Sequence, residues 1–264
     1  MYKLSLIFCA AFLSLLSASA NSSEVTLRLV YGTEQAFPNI LGQGSAVVDP
    51  PGLAIDIIKQ AAQDIGVKIE LHRLPDKRLF IHLKNGKADG NFIQSFKVKR
   101  QEFGVYPMKD GKPDPDKRIS TSEYFLYKMK GSPLQATTES LTGNGVRLAA
   151  KRGFSIVSEL RALGAEVTET ESSQSLYKML ISGRVNGIAL QANEGDFHIN
   201  SLKIENIEKV FPPLATKNYY LMLSHQFVEK HPEIASKLWQ RIATIRDKVS
   251  KDRRAVYEKL YQAN

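Results

Sequence analysis

Apolar and polar positions along this chain switch between two periods, and the switches come in the same order twice. Val25-Thr26-Leu27-Arg28-Leu29-Val30 alternates residue by residue and stops at Gly32, which predicts a half-buried strand. From Gly52 to Ile65 the apolar residues Leu53, Ile57, Ala61 and Ile65 recur every fourth position, the spacing of a helix face. Val67-Lys68-Ile69-Glu70-Leu71 alternates again, and Pro75-Asp76-Lys77-Arg78 opens a second helix. That helix buries Leu79, Phe80 and Leu83 and ends near Gly86; Asp89-Gly90 then leads into the short apolar run Asn91-Phe92-Ile93.

The second half repeats this grammar. Val146 to Ala150 reads as a strand stopping at Gly153, Ser155 to Leu163 as a helix with Ile156, Leu160 and Leu163 inward, and Ala165 to Thr168 as a strand. The following helix and strand match the first copy residue by residue: Leu79/Leu176, Phe80/Tyr177, Leu83/Leu180, Gly86/Gly183, Lys87/Arg184, Asp89/Asn186 and Gly90/Gly187. Each unit is strand–helix–strand–helix–strand, the pattern of a mainly parallel sheet flanked by helices. The fold class expected is therefore α/β, with two similar lobes. Ligands of such sheets sit beyond the carboxyl ends of the strands, so two lobes set face to face would grip a ligand between those ends.

Composition narrows the function. Lys3, the apolar run Leu4 to Leu16 and Ala18-Ser19-Ala20 read as a cleaved secretory leader over residues 1–20, which implies a periplasmic chain beginning at Asn21. The single cysteine, Cys9, would leave with it, excluding a disulfide framework or thiol nucleophile in the mature chain. The formal net charge is +9, one less without Lys3, but basic and acidic residues interleave, as in Lys248 to Arg254, and no nucleic-acid motif accompanies them. No nucleic-acid partner, metal or cofactor is expected, and the chain is expected to be monomeric. The five histidines show no ligand spacing stronger than Asp196-Phe197-His198, which reads as a polar pair in a loop.

Candidate binding residues lie at the strand ends. Gln94 and Gln191 are equivalent in the repeat, and an amide there can both donate and accept hydrogen bonds. Ser95 and Arg100 follow Gln94, and a guanidinium can hold a carboxylate with two parallel hydrogen bonds. Gly153-Phe154-Ser155 opens the first helix of the second unit; by itself Ser155 is as readily a helix N-cap, and Arg100 an exposed loop cation. Tyr31 ranks first, ahead of Phe37 and Phe92, as an aromatic wall, and Glu34 is the one acid near the first strand's end that could donate a proton.

These stretches resemble the family-3 extracellular solute-binding proteins, the polar amino-acid receptors of bacterial ABC importers. Gly52-Leu53-Ala54-Ile55-Asp56 is similar to the family's Gly-x-Asp-x-Asp helix start, with Ala54 in place of the first Asp. Asp89-Gly90 through Ser95 to Arg100 is similar to its strand-then-Thr-x-x-x-x-Arg segment, with Ser95 replacing Thr, and Gly153-Phe154-Ser155 to its Gly-Thr/Ser loop. The resemblance runs from about Val25 to the C-terminus. It implies a type II periplasmic-binding-protein fold with a two-strand hinge: residues 24–123 and 217–264 in the first lobe, 124–216 in the second. It also implies that Arg100 holds a ligand carboxylate, assisted by Ser95 and the Ser155 loop. The family's amine-binding Asp falls at Gln191, which leaves open an amino acid, a dicarboxylate, another small anion or a modified amino acid.

The function expected is capture of a small polar, carboxylate-bearing ligand by lobe closure, with an inner-membrane ABC permease or a sensor as partner. The fold also hosts cyclohexadienyl-type dehydratases, but the chain lacks a Gly-x-Ser-x-Gly elbow, a His-Glu-x-x-His helix and a P-loop, so no enzyme is expected.

Overall fold

A computed structural model describes residues 24–142, 145–201 and 203–263; the leader expected over residues 1–20, with Cys9, lies outside the described residues. In chain order the elements are β1 (Thr26–Gly32), α1 (Leu53–Asp64), β2 (Lys68–Leu74), α2 (Asp76–Lys84) and β3 (Gly90–Ser95). A small hairpin of β4 (Met108–Lys109) and β5 (Lys112–Pro113) precedes β6 (Ser120–Met129). The second unit is β7 (Arg147–Lys151), α3 (Ile156–Ala162), β8 (Glu166–Thr170), α4 (Ser173–Ile181) and β9 (Gly187–Gln191). The chain closes with α5 (Ala192–Ser201), β10 (Ile207–Leu223), α6 (His225–Lys230) and α7 (Pro232–Ala263).

The strands are hydrogen-bonded in the order β2-β1-β3-β10-β6-β9-β7-β8. On each flank three strands run parallel, β2-β1-β3 and β9-β7-β8, and each trio is joined to an antiparallel neighbour, β10 or β6. Those two neighbours pair with each other. Their ladder breaks between Val210 and Ala215 and resumes on the other side, so β10 pairs with β6 beside the second trio and with both β6 and β3 beside the first. β10 begins at Ile207, ahead of Pro212-Pro213, because the residues between the two paired stretches interrupt the ladder without ending the strand.

The repeat has a physical basis at each matched position. Asp89 accepts a hydrogen bond from the Arg28 backbone N–H at 2.8 Å, and Asn186 accepts one from that of Arg147 at 2.8 Å. Each thereby clamps the start of the first strand of its own unit. Gly90 lies against Leu29 and Gly187 against Leu148 in register, where an added Cβ would come within 2.7 Å of the Leu29 side chain and within 3.2 Å of that of Leu148. Gly86 and Gly183 end α2 and α4 in the left-handed region, at φ 65° and 69°.

The first core packs α1, α7 and the inward faces of β1, β3 and the end of β10, with Leu27, Leu29, Ile58, Leu221 and Leu238 fully buried. The long α7 is fastened near its start to β10, where Trp239 Nε1 donates to the Leu221 carbonyl at 2.8 Å, and near its end to α1, where Asp56 accepts from Arg253 and from the Tyr257 hydroxyl. Two further cores fill either face of the β9-β7-β8 trio. The Asp196-Phe197-His198 stretch is helical, within α5, not a loop: Asp196 accepts from the buried Tyr127 hydroxyl at 2.9 Å and pairs with Lys209.

One long connection reaches the strand ends without regular structure, residues 33–52, and a buried cation organises it. Arg73 in β2 is 4% exposed and has no ion-paired carboxylate among the described residues. Its guanidinium donates to the carbonyls of Gly32, Thr33, Leu41, Gly42 and Ala46 at 2.7–3.3 Å, and it lies over the Tyr31 ring. A fork of five N–H donors meets five main-chain acceptors that a loop folded on itself would otherwise leave bare. Burial pulls the Arg73 pKa below its ordinary value. Replacing Arg73 by Met is expected to cost about 3 kcal/mol, roughly 6–12 °C in melting temperature for a chain of this size. Thermal and guanidinium denaturation would check this, and a loss below about 1 kcal/mol would show that the connection holds without the cation.

Candidate functional site

The carboxyl ends of β1, β3, β7 and β9 converge on one cavity of about 330 Å³, lined from both halves. Glu34, Gln94, Ser95 and Arg100 from the first half face Phe154, Ser155 and Gln191 from the second. Seven of the eight leading sequence candidates therefore share one cavity, and of the aromatics ranked below Tyr31 Phe92 lines it while Phe37 does not.

Tyr31 is the exception. It is 1% exposed, tilted against Phe92 with ring centroids 4.9 Å apart, and does not line the cavity. The alternation of β1 explains this: Leu27, Leu29 and Tyr31 share the face turned into the first core.

Backbone geometry sets the first-half wall. Opposite β10, Phe92 faces Leu221 and Gln94 faces Tyr220, so Ile93 is an extra residue, a β-bulge, and its φ is 57°. A β-branched residue in the left-handed region is costly, on the order of 1–3 kcal/mol. The bulge makes Phe92 and Gln94 successive rungs, so they turn to opposite faces. Gln94 returns to the side of Asn91, to whose Oδ1 its Nε2 donates at 3.2 Å.

Arg100 comes from a 3-10 turn over Val98–Glu102. Its Nη1 donates to the Ser95 carbonyl at 2.6 Å and to Ser95 Oγ at 3.1 Å, its Nη2 to the Gly153 carbonyl at 3.4 Å, and its guanidinium lies over Phe80. Carbonyls hold the cation in place without neutralising it, and no carboxylate among the described residues pairs with it. Ser95 and Ser155, 4% and 3% exposed, join the halves directly, Ser95 Oγ to Ser155 Oγ at 3.2 Å. Ser155 makes no side-chain cap to α3, so its hydroxyl serves the cleft and not the helix. Lys97 reaches across to the Phe154 carbonyl at 3.3 Å; burial, then the cations Arg100 and Lys217, hold its pKa below the ordinary value.

Gln191, at the end of β9, donates from Nε2 to the hydroxyls of Tyr219 at 2.6 Å and Tyr124 at 3.2 Å, and Tyr219 donates to Tyr124. Those tyrosines stand on β10 and β6. Burial raises both phenol pKa values, so both hydroxyls are protonated hydrogen-bonding groups at neutral pH. Sequence reasoning missed them because each reads as one more apolar position of a strand.

It also missed the other charges of the cavity. Lys151 pairs with Glu194 at 2.8 Å, and Glu194 accepts from the Ser173 hydroxyl. Glu171 pairs with Arg152 and lies 3.8 Å from Lys77 of the opposite half. Asp76, the first residue of α2, lines the cavity, its carboxylate beside Gly32 and without a hydrogen bond or ion pair among the described residues. An acid in a first helical turn suits the helix dipole, and from sequence that is all Asp76 signals. Desolvation raises its pKa; Glu34 and Glu171 add to the rise, while Lys151 and Arg100 oppose it.

A carboxyl whose pKa is higher folded than unfolded favours the fold at low pH, and that contribution is lost as pH climbs from the unfolded pKa through the raised one. Replacing Asp76 by Asn is therefore expected to raise the melting temperature at pH 7 and to change it less at pH 3. Melting curves at both pH values check it; equal shifts would contradict the assignment.

No protein-family model matches the sequence, and no curated protein matches it. Solved structures do. A mutant arginine-binding protein, ArgBP from T. maritima, is similar at a TM-score of 0.61 and 14% identity, covering 90% of this chain and 96% of that one. The GluR0 ligand-binding core from Nostoc punctiforme, in complex with L-glutamate, is similar at 0.61 and 16%, covering 90% and 98%. An ancestral arginine-binding protein bound to arginine is similar at 0.63 and 16%, covering 86% and 97%. With its two parallel trios hung on a shared antiparallel pair, the chain has the two-lobed α/β fold of these amino-acid-binding proteins.

Proposed function

We propose that this chain is a secreted, periplasmic solute-binding protein that captures a small carboxylate-bearing ligand between its lobes and presents the closed form to an ABC-type importer. The observation that carries the reading is Arg100: a guanidinium aimed by main-chain carbonyls, with no carboxylate partner among the described residues, at the wall of a cavity both halves build. An anion entering there gains charge-assisted hydrogen bonds that the free protein does not already make. Ser95 and Ser155 stand at the seam beside it, so a ligand bonded to both stabilises the closed arrangement. Structural neighbours bound to arginine and to L-glutamate support a small amino-acid-like ligand.

The role is binding, not catalysis. Lys151, Arg152, Glu171 and Glu194 in the cleft are tied to one another and Arg100 to the backbone, which suits holding a ligand in place. A thermal-shift screen of the purified chain against amino acids, dicarboxylates, sugars and polyamines is expected to yield a carboxylate-bearing hit. At a hundred times its dissociation constant the hit should add about 2.7 kcal/mol, roughly 5–11 °C. Replacing Arg100 by Ala should abolish the shift; a hit that survives the change removes Arg100 from the site, and turnover of the hit overturns the binding role.

A further inference from the structure

The charges lining the cleft balance in number, but they are unevenly placed once internal pairs are removed. Lys151 is committed to Glu194, and Glu171 to Arg152 and Lys77. Lys77, 3.8 Å from a carboxylate that Arg152 already neutralises, keeps its side chain 80% exposed at the rim. Three groups remain inside, all on the first lobe: the cation Arg100, and the carboxylates Asp76 and Glu34, neither of whose side chains has a hydrogen bond or ion pair among the described residues. Among the described residues the second lobe offers the cleft no free carboxylate, since Glu171 and Glu194 are both paired. At the end of β9 it offers an uncharged amide whose nitrogen already serves two tyrosines.

A ligand that completes this pattern carries one negative group for Arg100 and one positive group for the two acids. A second carboxylate at that place would meet like charge, a direct penalty. The Ser95 carbonyl, a natural acceptor for an ammonium close to the ligand carboxylate, is already taken by Arg100 and by the Tyr106 hydroxyl. The geometry points to a ligand class: a carboxylate whose amine or guanidine is remote from it and meets Asp76 and Glu34, with no α-ammonium required. This rests on the solute-capture reading above and specifies what that site takes.

Calorimetric titration of the purified chain with matched pairs tests it: δ-aminovalerate against L-ornithine, ε-aminohexanoate against L-lysine, and δ-guanidinovalerate against L-arginine, with glutarate and valerate as anion-only probes. At least one cationic carboxylate is expected to bind within about threefold of its α-amino counterpart. Asp76→Asn combined with Glu34→Gln is expected to weaken it by about tenfold or more, in a variant whose melting curve shows it folded. An α-amino partner tighter by more than about thirtyfold would overturn the inference, as would an unchanged affinity in the double variant. Glutarate binding more tightly than every cationic probe, and lost in Arg100→Ala, would leave the capture of carboxylates standing while sinking this assignment. Silence from every probe sinks it as well.

Discussion

Everything in this molecule hangs on the antiparallel pairing of β6 with β10. Each trio of parallel strands is complete only when one of these two lies along its edge, and the two reach both trios because they pair with each other. The trios bring four strand ends to one place from opposite sides, and the shared pair runs beneath them. Tyr124 and Tyr219 stand on that pair and meet Gln191 at the bottom of the cleft. What a ligand touches there is thus bonded to the two strands about which the lobes would turn.

Two guanidiniums show how the chain stabilises cations without carboxylates. Arg73 is enclosed by five carbonyls and serves only to fold residues 33–52 against the strand ends. Arg100 is gripped more loosely, by Ser95 and Gly153, and keeps its charge at the cavity. Main-chain oxygens orient a cation while leaving it positive, whereas an acid partner would quench it. The first use spends the charge on architecture; the second leaves it available.

Much of the fold was legible because its rules are local. Period switches, the glycines that end α2 and α4, and Asp89-Gly90 against Asn186-Gly187 each follow from a contact made within one unit, so one copy teaches the other. Gln94, Gln191 and Arg100 were legible as candidates for the same reason, lying just past readable strands. Other features escaped. Tyr31 has the period of a core residue and the chemistry of a binding one, and only packing against Phe92 decides between them. Asp76, Lys151 and Glu194 become meaningful through partners distant in sequence, or through having none. The α5 helix follows β9 without a turn residue to announce it, and Asp196 looks like a loop acid until Tyr127 and Lys209 are seen beside it.

The unusual backbone of Ile93 bears on strand alignment. A strand of ordinary residues can slide along its neighbour by one step and lose only its pattern of inward faces. Here a slide of β3 along β10 would carry the wide place in the ladder onto Phe92 or Gln94, whose own torsions do not match it. The bulge acts as a ratchet tooth: it permits one alignment of the sheet, and by doing so holds the mouth of the cleft at a constant height.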